Sequence, residues 1–131
     1  MHPYLKSGLA VLAGIFVGGI VNFGIILSSS IIPPPDGVDV SNIESIKANI
    51  HLYKPIHFLF PFLAHSLGTF SGAVLAIKIS KQTKIAYMVA LVFLYGGISM
   101  VTQVPSPMWF TVLDLGLAYI PMAWLATKMS S

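Results

Sequence analysis

Trp109-Phe110-Thr111-Val112-Leu113-Asp114-Leu115-Gly116-Leu117-Ala118-Tyr119-Ile120 carries a single charge, and a largely apolar chain continues from it to Thr127. Its length and polarity are those of a membrane-spanning helix, which needs about 20 residues. An ionised carboxylate near the middle of such a helix costs roughly 2.5–3.5 kcal/mol on insertion scales. Asp114 therefore calls for a partner or a use.

The rest of the chain repeats the pattern. Of 131 residues, 56% are hydrophobic and 8% charged, against about 25% charged in a soluble protein. A soluble domain of this size cannot hide so much apolar surface, whereas a bilayer can. Helix 1 is expected over 9–32, ended by Pro33-Pro34-Pro35 because proline supplies no backbone donor. Helices 2, 3 and 4 are expected over 58–77, 85–104 and 109–127. The predicted fold is an all-α integral membrane protein, a single domain over 1–131 with four transmembrane helices in a bundle. Met1–Lys6 resembles a signal-peptide n-region, but the following apolar run is too long and lacks a small-x-small cleavage site, so it reads as a retained helix.

The net charge of +3 comes from scattered lysines, without arginine. There is no dense basic stripe of the kind nucleic acid requires, so no nucleic-acid partner is expected. The absence of cysteine excludes disulfides, thiolate metal sites and thiol redox chemistry. Lys6, Lys78, Lys81, Lys84 and Lys128 fall on one side of a four-span arrangement. Asp36, Asp39 and Glu44 fall on the other, with Lys47 and Lys54. The positive-inside rule then places the chain in the inner (cytoplasmic) membrane with both termini in the cytoplasm. Tyr53, Phe58, Phe60, Trp109 and Phe110 would form an aromatic belt at the outer surface.

The 1–2 loop contains Ser41-Asn42-Ile43-Glu44, a capping-box pattern. Ile43, Ile46, Ile50 and Tyr53 follow at helical spacing, predicting a short amphipathic helix over 41–53 on the outer membrane surface. Its opposite face carries Glu44, Ala48 and His51. Two weak internal similarities, Phe16–Ile20 with Leu94–Ile98 and Ala73–Lys78 with Ala123–Lys128, suggest two repeated hairpins, with His65 and Asp114 at nearly equivalent places.

Counting depth from the outer surface, Asp114 lies ~8 Å in, His65 ~10 Å and Asn22 ~8–15 Å, taking the rise per helical residue. Gln103 is near the outer end of helix 3. Each helix thus offers one polar side chain in its outer half, and the inner halves offer almost none. Gly14, Gly18 and Asn22 share a stripe of helix 1, while Gly68, Gly72 and Thr69 lie near His65 on helix 2. Small residues mark the faces on which membrane helices meet. A polar pocket of Asn22, His65, Gln103 and Asp114 is predicted, roofed by Glu44, His51 and His57.

Two roles remain open for Asp114 and His65: a buried pair that fixes the bundle, or an acid/base pair. Imidazole with carboxylate is also a common ligand set for a divalent metal ion (Zn, Fe or Cu). The metal set would be Glu44, His51, His57, His65 and Asp114, although His51-x5-His57-x7-His65 matches no tight ligand spacing. Pro121 should kink helix 4 by removing the bond to the Leu117 carbonyl.

The length and four-span layout resemble those of small multidrug transporters. That family carries its essential carboxylate in the first helix, where this chain has none, so its function is not carried over. No Gly-rich phosphate loop, serine nucleophile constellation or zincin motif is present. The leading expectation is a pocket that binds a small ligand, metal ion or proton, or that serves a membrane enzyme with His65 and Asp114 as the acid/base pair. The alternatives are an oligomeric small transporter or channel, or a structural subunit of a larger membrane complex. The lipid bilayer, a second copy and such a complex are the partners these readings imply.

Overall fold

The computed structural model describes residues 1–130, which are helical throughout apart from turns and loops. The helices are α1 (Pro3–Leu27), α2 (Ile43–Asn49), α3 (Leu59–Ser80), α4 (Ile85–Gln103), α5 (Met108–Leu117) and α6 (Ile120–Met129). Short 3-10 turns extend α1 through Ile31, follow α2 through Leu52, and lead into α3 from Pro55. Four stretches are long and apolar enough to cross a membrane: Pro3–Ile31, Pro55–Ser80, Ile85–Gln103 and Met108–Met129. The expected bundle of four spans with one short helix between the first two is thus present.

α3 is the centre of the bundle, packing against α1, α4, α5 and α6. The α1–α3 contact is nearly backbone to backbone. A methyl group added at Gly14 would lie 2.5 Å from the Gly72 carbonyl oxygen, and one added at Gly18 would lie 2.5 Å from that of Gly68. No other residue fits those positions without moving a helix. The core beyond this seam is built largely of alanine: Ala73, Ala86, Ala90, Ala123 and Ala126 meet with Ile77 where α3, α4 and α6 converge. Small side chains let apolar helices approach closely and gain dispersion contacts, which is what holds helices together in lipid. Large apolar residues such as Leu12, Phe16, Ile20, Leu91 and Trp124 stay on the outer surface of the bundle, where hydrocarbon would solvate them.

The bundle has two distinct ends. At one, Gln82 donates to the Ser7 hydroxyl at 3.1 Å, tying the α3–α4 turn to the start of α1. Lys78 and Lys81 lie beside Met129 and Ser130 at that same end. We call this the lysine end, and the opposite one, which carries the 33–57 segment, the loop end.

The two similar glycine motifs do not use the same glycine. Gly18 is the contact residue of the first, while its counterpart Gly96 is open and Gly97 makes the contact in the second.

Three local expectations are corrected. The fourth span is not one kinked helix but two, with Ala118 and Tyr119 between α5 and α6. Pro121 supplies no N–H to the Leu117 carbonyl, and Tyr119 leaves helical geometry at φ −118°, ψ −78°. The short helix is capped by Asn42, not Ser41: its side-chain oxygen accepts from the backbone N–H of Glu44 at 2.9 Å. Ser41 instead donates to Asp39 Oδ1, from its hydroxyl at 2.6 Å and its backbone at 3.0 Å. These bonds hold the Asp39 carboxyl below its usual pKa. Finally, Phe58 and Phe110 are buried rather than part of a surface belt. Their rings pack at 4.7 Å between centroids, with Trp109 edge-on to Phe58 at 5.6 Å.

Candidate ligand cavity at the loop end

The Phe58–Phe110 contact sets the register of α5 against α3. His65 lies seven residues after Phe58, and Asp114 lies four after Phe110. Both spacings keep a residue on the same helix face, so an aromatic pair at the mouth is followed one to two turns deeper by a polar pair. His65 Nδ1 is 2.9 Å from both Asp114 Oδ1 and Oδ2. A carboxylate only accepts, so Nδ1–H donates and is shared between its two oxygens. The Asp114 side chain is 7% exposed and that of His65 25%, so the carboxylate is enclosed while the imidazole retains an open edge.

Tyr119 completes the arrangement. It is buried at 2% exposure, and its ring stacks on His65 at 5.8 Å and 24°. Its phenol oxygen interacts with the Asp114 carboxylate and packs against Gly97. Tyr119 was not among the residues expected at the site, although a kink at Pro121 was expected. The available signals were Pro121, which marks the break at Ala118 and Tyr119, and the small residues Ala123 and Ala126 at i+4 and i+7 from Tyr119, which put it on a packing face.

His65 and Asp114 form the floor of a cavity of about 280 Å³. Met100 and Val101 of α4, Val104 just past its end and Ile26 of α1 supply apolar walls, and Ile46 of α2 and Ile50 of the following 3-10 turn reach it from above. Tyr53, His57 and Phe110 line it as well. The amphipathic segment therefore turns its apolar face onto the bundle mouth.

That orientation decides the fate of the other predicted residues. Glu44 is exposed and sits 3.7 Å from Lys47, and His51 is exposed. His57 lines the cavity, with Nδ1 accepting from the Lys54 backbone N–H at 2.8 Å. Among the described residues no group of three or more His, Asp or Glu side chains is gathered to hold a metal ion. The five-residue metal set of Glu44, His51, His57, His65 and Asp114 is not assembled, because Ile46 and Ile50 face the cavity while Glu44 and His51 stay exposed. Asn22 stays on the α1–α3 seam, where its Cβ would meet a methyl group on Gly68 at 3.1 Å. Gln103 is exposed and donates to the Ser99 hydroxyl at 3.0 Å. Neither lines the cavity.

His65 hydrogen-bonds through Nδ1 alone; among the described residues Nε2 has no protein partner. With Nδ1 committed as donor, a neutral imidazole presents the Nε2 lone pair. Such a pair can accept a hydrogen bond, or take a proton while the carboxylate stabilises the resulting cation. No family model matches the chain, and no curated protein or solved structure matches it either.

Proposed function

We propose that this four-span membrane protein binds a small, largely apolar molecule in the loop-end cavity, with His65 Nε2 as the polar contact. Asp114 fixes the tautomer and orientation of the imidazole. The observation that carries this reading is the His65 Nδ1–H shared by both Asp114 oxygens at the floor of a mostly apolar cavity. A few placed polar groups among hydrophobic walls are what small-molecule sites have in common. The same geometry suits a second role, in which His65 acts as general base on a membrane-soluble substrate and Asp114 steadies the imidazolium.

Conduction through the bundle fits less well. The lysine-end half is closed by the alanine cluster, and Ala73, Ala86, Ala90, Ala123 and Ala126 are each 0% exposed. A ligand reaching His65 therefore enters and leaves at the loop end or sideways from the lipid. In our reading the lysine end lies in the cytoplasm of a cell with an inner membrane, and the cavity faces the opposite side.

The test is native mass spectrometry of protein purified in mild detergent, comparing wild type with His65→Leu and Asp114→Leu. A low-mass molecule should accompany the wild type and be lost from both variants at unchanged helix content. Its retention at wild-type occupancy in His65→Leu would sink the proposal.

A further inference from the structure

The cavity has a second polar group, set in the opposite hydrogen-bonding sense to the first. His57 Nδ1 accepts the Lys54 backbone N–H at 2.8 Å. An accepting nitrogen carries no proton, so the neutral ring holds its proton on Nε2 and is a donor there. His65 is the mirror case: Nδ1–H donates to Asp114, and Nε2 is left as an acceptor. Among the described residues neither Nε2 has a protein partner. Both rings line the same cavity, His65 at its floor and His57 toward its mouth. They are eight residues apart along a nearly continuous helical stretch, a rise of roughly 12 Å.

Each tautomer is enforced by a different kind of group. At His57 it is a backbone N–H held in the turn that starts at Pro55, with Tyr53 edge-on to the ring at 5.4 Å and 71°. At His65 it is a buried carboxylate. The lining also includes the packed rings of Tyr53, Phe58 and Phe110 and the apolar side chains of Met100, Val101 and Val104.

Building on the ligand-binding reading, we infer that the cavity selects a flat aromatic alcohol of the quinol type: a ring with a hydroxyl at one end and an oxygen acceptor at the other. The hydroxyl donates to His65 Nε2. The far oxygen accepts from His57 Nε2–H. The ring lies against the aromatic wall, where offset contacts are favourable. A para-substituted ring with a hydrogen bond of about 2.8 Å at each end has a length of the same order as the backbone rise between the two histidines. His57 is then a specificity-determining residue, and the binding step involves no redox chemistry.

The experiment uses the full chain in lipid nanodiscs with 15N-labelled histidine, read by NMR of the imidazole nitrogens. The free protein should show His57 protonated on Nε2 and His65 on Nδ1; the reverse tautomer at either would overturn the inference. Four probes sharing one decyl tail are then titrated: a hydroquinone, its dimethyl ether, the corresponding quinone, and a phenol lacking the second oxygen. Hydroquinone should move both histidines and bind about tenfold more tightly than the ether or the quinone, which have no hydroxyl to donate. It should also bind more tightly than the phenol, and His57→Ala should abolish that last difference while leaving the preference for a hydroxyl intact. Equal binding of hydroquinone and phenol in wild type would overturn the two-ended recognition, although the ligand reading would stand on its own mass-spectrometric result. Failure of all four probes to shift His65 would overturn the assigned ligand class in the same way.

Discussion

Asp114 is enclosed, and its two oxygens share one imidazole proton while a phenol lies alongside. Removing the carboxylate strands a partly buried N–H, a loss of about 1–3 kcal/mol. Asp114→Ala should therefore destabilise the bundle by that order in denaturant titrations. In a double-mutant cycle with His65→Ala, the pair should couple by about 0.6–2 kcal/mol. Simple additivity would show that the contact carries no energy of its own. Tyr119→Phe keeps the stacked ring and removes only the hydroxyl, so its cost should be smaller than that of Tyr119→Ala. From sequence, the pairing of His65 with Asp114 was legible, because their depths matched and few other polar groups lay in the hydrocarbon. Asn22 and Gln103 were misplaced for a physical reason. Depth along a helix says nothing about rotation around it, and Gln103 satisfies itself on its own helix through Ser99.

The elements differ in how tightly they are held. α1 and α3 touch through glycine, so a bulky side chain in the seam must push two backbones apart. Gly72→Leu should cost about 1–3 kcal/mol, the range for overpacking a close contact. A Cβ added at Gly19 meets nothing within 4 Å, so Gly19→Leu should fall within about 0.5 kcal/mol of wild type. Equal effects of the two in the same denaturant titration would refute the seam. The glycine stripe was readable from sequence because only close approach makes periodic glycine useful in a membrane helix. The break in the fourth span was only half readable. Pro121 announced a lost hydrogen bond, but whether the helix bends or stops depends on what the freed segment can pack against, and here Tyr119 packs on His65 and Gly97. α2 was predicted at nearly its observed position. Which of its faces turns toward the pocket was not, since an isoleucine face suits a lipid surface and a cavity mouth equally well, and Ile46 rather than Glu44 lines the cavity.

For the whole molecule, the lysine end and the loop end give the orientation a direct test. The chain has no cysteine, so single substitutions report without background. In intact cells an impermeant maleimide should label Ser45→Cys and spare Lys81→Cys, with both reacting once the membrane is opened. Labelling of Lys81→Cys in intact cells would invert the assignment and put the cavity on the cytoplasmic side. The architecture was legible at this scale because hydropathy and span length leave a chain so poor in charge few alternatives. The cavity was legible only in part: a pocket holding His65 and Asp114 beneath His57 was expected, but not its apolar lining, which comes from several separate segments.

The partners in the His65–Asp114 contact are 49 positions apart in the chain, one in the second span and one in the fourth. Synthesis delivers spans in order, so the imidazole is in place before its carboxylate has been made. α1 and α3 can close their glycine seam at once, since both are already present. Asp114 then arrives to a waiting donor, and the penalty of carrying it into the bilayer falls at the moment of docking. A nascent chain halted after α4 would hold the seam and the roof but only the imidazole half of the floor. Completion of the fourth span is thus the step that gives the imidazole its carboxylate and closes the cavity floor.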